Sequence, residues 1–163
     1  GSDAYDLDRI VKEHRRLVEE QRELVEELEK LVRRQEDHRV DKKESHEILE
    51  RLERIIRRST RILTELEKLT DEFERRTRGS EGSGSEGSGS DDKELDKLLD
   101  TLEKILQTAT KIIDDANKLL EKLRRSERKD PKVVETYVEL LKRHEKAVKE
   151  LLEIAKTHAK KVE

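Results

Sequence analysis

Apolar residues recur every seven positions in four long segments of the chain, and charged residues fill most of the positions between them. In the first segment the middle row is Leu7, His14, Gln21 and Leu28, and two apolar rows flank it. Because about 100° separates consecutive helical residues, the three rows lie side by side on one face of a helix. This stripe predicts a helix that packs against other helices, and its strict seven-residue period indicates left-handed supercoiling.

The other three segments have the same organisation. Their middle rows are Ser45, Leu52, Ser59, Leu66 and Phe73 in the second segment, Leu95, Leu102, Ala109, Ala116 and Leu123 in the third, and Tyr137, His144, Leu151 and His158 in the fourth. The stripes predict four helices, over about residues 3–36, 42–78, 91–126 and 131–162.

Capping residues mark where three of these helices begin. Asp41 and Asp91 each have a Glu three positions later, which is the pattern of a capping box. Asp130 precedes Pro131, the sole proline, and this pair is typical of an N-cap followed by the first helical residue. Residues 37–40 form the turn between the first two helices. Short turns of this kind predict two antiparallel helical hairpins.

A Gly/Ser-rich segment, GSEGSGSEGSGS, occupies residues 79–90. Such sequences behave as flexible coil, so this one divides the chain into hairpins 1–78 and 91–163. Its residues span at most about 40 Å when extended, whereas each helix is about 50 Å long. The third helix is therefore expected to begin beside the end of the second. The predicted fold class is all-α, a four-helix bundle of two antiparallel hairpins in up-down-up-down order.

Composition narrows the classes of function. Charged residues make up 48% of the chain and apolar residues 31%, with a net charge of −3 and the two signs interleaved. No basic patch offers a footprint for nucleic acid, and no apolar run is long enough for a membrane span or a signal peptide. The absence of Cys excludes disulfides and thiolate sites. We expect a soluble protein with neither nucleic acid nor membrane as a partner.

Polar residues interrupt the middle rows, which point at the bundle axis. A buried polar group without a partner costs about 1–3 kcal/mol, so we expect these side chains to form hydrogen-bond networks in the core. They are His14, Gln21, Ser45, Ser59, Tyr137, His144 and His158, with Thr101, Thr108 and Asn117 as possible further members. The alternative for each is a side chain that reaches water or is only tolerated, and Tyr137 also packs well as apolar core.

Counting residues along each hairpin predicts three polar layers. A central layer contains Gln21, Ser59 and His144, a lower layer contains His14 and His158, and an upper layer contains Ser45 and Tyr137, with Thr108, Thr101 and Asn117 near the three respective levels. Every layer includes residues from both halves of the chain. A wrong partner or a slipped register would strand these polar groups, so the layers would give specificity to pairing.

Neither a metal site nor an active site is predicted. His144 and His158 lie two heptads apart, about 21 Å along one helix, and the Glu-x-x-His motif of di-iron bundles does not occur. Ser59 and His144 are the residue types of a nucleophile and its base, but a packed axis provides no orienting acid and no substrate cleft. We therefore expect no enzymatic activity, no cofactor and no small-molecule substrate.

Long regular hairpins, cores of Leu, Ile, Val and Ala, and core His, Gln and Ser resemble the de novo designed helical heterodimers with buried hydrogen-bond networks. In that family two different helix-turn-helix chains pair into a four-helix bundle. The resemblance covers residues 3–78 and 91–163, whereas the linker and the single chain depart from the two-chain form, so the protein looks like a fused version. The resemblance implies a synthetic protein without natural activity, expressed in soluble form in a bacterial cytosol, whose halves pair specifically.

Four alternatives stay open. The chain is a metal-binding or catalytic bundle if its stability changes with zinc. The chain is a plain single-chain scaffold if the linker serves only as a loop. It is a pH-responsive switch if the buried histidines titrate, since burial lowers the pKa of His below its usual 6.5. It is a domain-swapped homodimer if the first half of one chain pairs with the second half of another.

Overall fold

The chain folds into four long helices that pack as an all-α bundle, which confirms the predicted fold class. A computed structural model describes residues 2–37, 41–81 and 89–162, with the side chains of residues 6–37, 41–77 and 93–161. The helices are α1 (Ser2–Arg34), α2 (Lys42–Glu81), α3 (Gly89–Arg125) and α4 (Pro131–Val162).

Neighbouring helices run antiparallel around a closed ring. In the described residues α1 contacts α2, α2 contacts α3, α3 contacts α4, and α4 contacts α1. Arg124 at the end of α3 pairs with Glu53 near the start of α2, and Lys161 at the end of α4 pairs with Glu94 near the start of α3. The order is therefore up-down-up-down, as expected, whereas the handedness of the supercoil stays a prediction.

The four helices do not approach one another equally. The contact between α3 and α4 is the most extensive. Both helices carry buried alanines, including Ala109 and Ala116 of α3 and Ala147 of α4. Small side chains let the two backbones come close. In the described part of the chain α2 also touches α4 across the bundle, whereas α1 and α3 do not touch. Inward side chains of α2 and α4 therefore meet directly.

A single apolar cluster contains side chains from all four helices. Leu28 of α1, Leu102 of α3 and Leu151 of α4 are completely buried, and Leu52 of α2 is 1% exposed. Burying one such side chain stabilises a fold by about 1.5–3 kcal/mol. Because the cluster is shared, each hairpin buries part of its inward rows against the other hairpin.

Two aspartates cap helices as predicted. The Lys43 amide donates to Asp41 Oδ1 at 3.0 Å, and the Lys132 amide donates to Asp130 Oδ1 at 2.9 Å. Each bond satisfies one of the amides that the first helical turn leaves without a partner. The carboxylate of Glu44, expected to complete a capping box with Asp41, instead accepts a hydrogen bond from Arg34 of α1 at 3.2 Å.

The helices extend further into the linker than the sequence predicts. α2 continues to Glu81, whereas the sequence predicts its end near residue 78. α3 begins at Gly89, whereas the sequence predicts its start near residue 91. Asp91, the predicted N-cap, therefore lies inside the first turn of α3. Helix propagation is cooperative, so residues that flank a long stable helix join it at little cost. The remaining linker residues, 82–88, and turn residues 38–40 lie outside the described part.

Candidate functional site

The polar residues of the middle rows lie inside the bundle, as their positions on the helices require. All seven are less than 9% exposed: His14, Gln21, Ser45, Ser59, Tyr137, His144 and His158. Tyr137 and His158 have no exposed surface at all. We call this set the axial polar residues, and their side chains come from α1, α2 and α4.

A ring stack fixes the relative heights of α2 and α4. The rings of Phe73 and His158 have their centroids 4.6 Å apart, with 27° between their planes. Because α2 and α4 run in the same direction, two heptads back along both helices brings Ser59 level with His144. One further heptad brings Leu52 level with Tyr137.

An ion pair fixes the height of α1 against α4. Arg22 pairs with Glu145, and each is the residue that follows an axial polar residue, Gln21 or His144. Together with the ring stack, this contact places Gln21, Ser59 and His144 at one level. This convergence in height agrees with the predicted central layer, whereas a hydrogen-bond network among the three side chains stays a prediction.

Convergence does not bring direct hydrogen bonds to every axial polar atom. In the described part of the chain four buried atoms have no hydrogen-bond partner, namely Tyr137 Oη, His144 Nε2, and both Nδ1 and Nε2 of His158. For His158 and Tyr137, the neighbouring side chains explain why a hydrogen-bond partner is missing. His158 faces the Phe73 ring, and Tyr137 is level with Leu52, so neither partner supplies a polar atom. The direct networks predicted around these atoms are therefore not formed.

Ser45 does not share a level with Tyr137, contrary to the predicted upper layer. Ser45 lines a cavity at the turn end of the bundle together with Gln35 and Lys129. The register set by Phe73 places Ser45 one heptad beyond Tyr137. Counting from assumed turn positions had offset the two hairpins by about half a heptad from the register that the ring stack sets.

His14 lines a groove between α1 and α4 together with Glu145, and it contributes to the lowered pKa of His144. His158, the predicted partner of His14, instead stacks on Phe73.

Burial controls the protonation of the axial histidines. Desolvation, together with a smaller contribution from the neighbouring His14, lowers the pKa of His144 from 6.5 to about 4. Desolvation also lowers the pKa of His14, although the Glu145 carboxylate opposes that effect, and it lowers the pKa of His158. Burial raises the pKa of the Tyr137 hydroxyl. Burial thus favours the neutral form of all three histidines.

Thr101, Thr108 and Asn117, the possible further members of the polar networks, lie away from the bundle axis. Thr101 and Thr108 are exposed, and their hydroxyls donate to the carbonyls of Lys97 and Lys104 at 2.8 and 3.0 Å. Asn117 is half-buried. A threonine hydroxyl in a helix readily bonds the carbonyl four residues earlier, which removes it from competition for a network.

Sequence reasoning missed three buried polar residues and one half-buried polar residue. Thr70 and Thr77 of α2 are buried and donate to the carbonyls of Leu66 and Phe73, both at 2.8 Å. Both threonines continue a flanking row of α2 at seven-residue intervals, so the heptad pattern was sufficient to predict their burial. Burial of the Lys129 ammonium lowers its pKa below 10.5.

Gln35, the fourth missed residue, is half-buried and continues the middle row of α1. Nothing in the heptad pattern identifies its partner, Lys129, which belongs to the turn between α3 and α4.

Among the described side chains, no group of three or more His, Cys, Asp or Glu could hold a metal ion. No helix within the described ranges is long and apolar enough to cross a membrane. Of the remaining histidines, His46 is exposed and pairs with Glu50 at 3.7 Å, and His38 lies outside the described residues. The chain matches no model of a known protein family and no curated protein sequence.

Proposed function

We propose that the chain is a designed protein whose function is the specific pairing of hairpin α1–α2 with hairpin α3–α4. The observation that carries this proposal is the single apolar cluster to which all four helices contribute. Each hairpin alone would expose its inward rows, and pairing removes them from water. In this proposal the linker only raises the effective concentration of the halves, to the millimolar range. No enzymatic activity, cofactor or small-molecule substrate is part of it.

Specificity is assigned to the axial polar residues. Gln21 and Ser59 belong to one hairpin and His144 to the other, and the ring stack and the Arg22–Glu145 pair support their common level. A leucine accepts almost any apolar neighbour, whereas a buried amide or imidazole is destabilising unless the opposing residue suits it. Correct partners are therefore favoured over mismatched ones, at some cost in stability.

Native mass spectrometry on separately expressed halves tests the pairing. Residues 1–78 and 91–163 are annealed together and the complexes are counted by mass. The proposal expects a dominant one-to-one heterodimer. Homodimers, or halves that remain unfolded and unassociated, would contradict it and would favour a single-chain scaffold.

Leucine variants test the source of specificity. Changing Gln21 and Ser59 to Leu in one half, and His144 to Leu in the other, is expected to allow homodimers to compete with the heterodimer. Thr64→Leu adds a leucine at an exposed position of α2 and serves as the matched control, with pairing unchanged. Pairing that stays equally selective after the axial changes would remove specificity from the proposal.

A pH-responsive pair is the second candidate, and the buried neutral histidines favour it. His144 and His158 have ring nitrogens without a hydrogen-bond partner among the described residues, and burial lowers the pKa of both. Protonation inside the core would place an unpaired charge between the hairpins, which is strongly unfavourable. The test is whether the annealed halves separate between about pH 7 and pH 4. A heterodimer population that is the same at both values would exclude the switch.

A further inference from the structure

The side chain of Gln35 joins the two hairpins at the turn end of the bundle. Gln35 follows α1 directly, and its backbone N–H donates to the Leu31 carbonyl at 3.1 Å. Its side chain reaches the turn between α3 and α4, where the Lys129 amide donates to Gln35 Oε1 at 3.0 Å. Gln35 Nε2 in turn donates to the Lys129 carbonyl. One side-chain amide thus satisfies both backbone groups of one residue in the other hairpin.

The backbone groups of Lys129 need such a partner. Lys129 is 5% exposed and lies between the end of α3 and the start of α4, where no helical hydrogen bond is available to it. Buried backbone amides and carbonyls are nearly always paired. A primary amide carries a donor and an acceptor on one planar group, whereas the carboxylate of Glu only accepts and Ala does neither. Glutamine therefore matches this turn in a way that closely similar residues do not.

The ammonium group of Lys129 holds the turn in the conformation that Gln35 contacts. Lys129 Nζ donates to the Leu123 carbonyl at 2.6 Å and to the Ser126 carbonyl. These carbonyls belong to the last turn of α3 and its end, where intrahelical donors run out. Folding the lysine side chain back over α3 fixes the direction of the Lys129 peptide groups. Lys129 is thus a positioning residue for the contact with Gln35.

We propose that Gln35 is a specificity-determining residue for hairpin pairing, because it recognises the buried Lys129 peptide groups of the α3–α4 turn. This inference rests on the proposed pairing function and adds a recognition element outside the axial polar residues. A shift of one heptad moves the Gln35 amide by about 10 Å along the axis. The shift would leave the Lys129 amide and carbonyl buried without partners. A partner hairpin with a different turn would lose the same two bonds.

The test uses the full chain with a protease site inserted in the linker. The folded protein is cut, and exchange of its halves with isotope-labelled halves gives the dissociation rate by native mass spectrometry. Gln35→Ala is expected to accelerate dissociation by at least roughly tenfold, because a buried donor and acceptor lose their partner. Gln107→Ala changes the same residue type at an exposed position of α3, so its rate should stay within about twofold of the original.

Hydrogen exchange on the uncut chain gives a second readout that does not depend on dissociation. Gln35→Ala should raise the exchange rate of the Lys129 amide by roughly tenfold or more, while the Leu151 amide in the middle of α4 keeps its rate. Lys129→Met keeps the backbone and removes the ammonium group. Its effect on dissociation should be less than additive with that of Gln35→Ala, since both changes disrupt one contact.

The outcomes separate this inference from the function on which it rests. If the original halves separate as soon as the linker is cut, hairpin pairing itself fails, and recognition by Gln35 fails with it. If they stay together but Gln35→Ala dissociates no faster than Gln107→Ala, pairing stands and only the recognition role is overturned. Faster exchange of the Lys129 amide without faster dissociation would likewise reduce Gln35 to a local turn contact.

Discussion

Each axial polar residue occupies a position where leucine would pack without a polar cost. His144 is 4% exposed and its Nε2 has no partner among the described residues. An unpaired buried polar group costs about 1–3 kcal/mol, so the residue lowers the stability of the fold that contains it. The free-energy cost of a buried histidine at such a position depends on pH and on the identity of its neighbours, so substitutions there can be tested one residue at a time.

Stability should fall as the solution is acidified. The pKa of His144 is about 4 in the folded chain and 6.5 when unfolded, so between these values the unfolded chain binds more protons. The contribution is fully present above about pH 6.5 and is lost as the pH falls toward 4. A shift of this size corresponds to a loss on the order of 3 kcal/mol. Guanidinium unfolding at pH 7 and pH 4.5 measures it.

A matched pair of variants assigns that pH dependence. His144→Leu removes the titrating group and is expected to reduce the pH dependence substantially, while raising stability at pH 7. Thr64→Leu places a leucine at an exposed, non-titrating position of α2 and should leave the pH dependence intact. Equal slopes in the two variants would show that His144 does not control the response to acid.

The central layer should show energetic coupling between hairpins. Ser59→Ala and His144→Ala are expected to couple by more than about 0.5 kcal/mol in a double-mutant cycle of unfolding free energies, because the two side chains lie at one level. Ser45 lies two heptads from Ser59 along α2, so Ser45→Ala with His144→Ala serves as the control and should be additive. Additivity in both cycles would mean that the central layer has neighbours but no interaction.

At the scale of the helix, the ends depend on local chemistry and the middles on packing. Asp41 and Asp130 each accept a hydrogen bond from the amide two residues later. The turn between α3 and α4 adds the Lys129 ammonium group, which bonds carbonyls at the end of α3. In the described residues, specific side chains therefore anchor the turn end of each hairpin.

Removing one cap should have a measurable and local effect. Asp130→Ala is expected to lower the free energy of unfolding by about 1 kcal/mol, because the first turn of α4 loses the acceptor for the Lys132 amide. Asp100→Ala places the same change at an exposed position inside α3, where alanine favours the helix, and should be neutral or slightly stabilising. Chemical denaturation of the two variants makes the comparison. Equal losses in both would contradict a capping role for Asp130.

At the scale of the whole molecule, the hairpins meet along two sides and one diagonal. α2 contacts α3, α1 contacts α4, and α2 touches α4 across the bundle. The Phe73–His158 stack, the Arg22–Glu145 pair and the Gln35–Lys129 contact all join different hairpins. Pairing is thus supported at both ends and in the middle, and the linker need not define the register.

The length of the linker should therefore have little influence on stability. Doubling the segment of residues 79–90 is expected to change the unfolding free energy by only about 0.6 kcal/mol, the entropic cost of a loop twice as long. Unfolding should also be independent of protein concentration if the halves pair within one chain. Chemical denaturation of the original and the lengthened chain, each over a hundredfold range of protein concentration, measures the two effects. A midpoint that rises with concentration would indicate domain-swapped dimers instead.

The sequence alone determined the number of helices, the inward rows and two of the N-caps, because heptad spacing and capping chemistry act over a few residues. It also placed the axial polar residues in the core. The tertiary structure alone decided which of them meet. His158 stacks on Phe73, Ser45 lies beside the turn end, and Gln35 pairs with Lys129. These contacts depend on the axial offset between two hairpins, which the seven-residue period leaves undefined, since every shift by a heptad preserves the same apolar pattern.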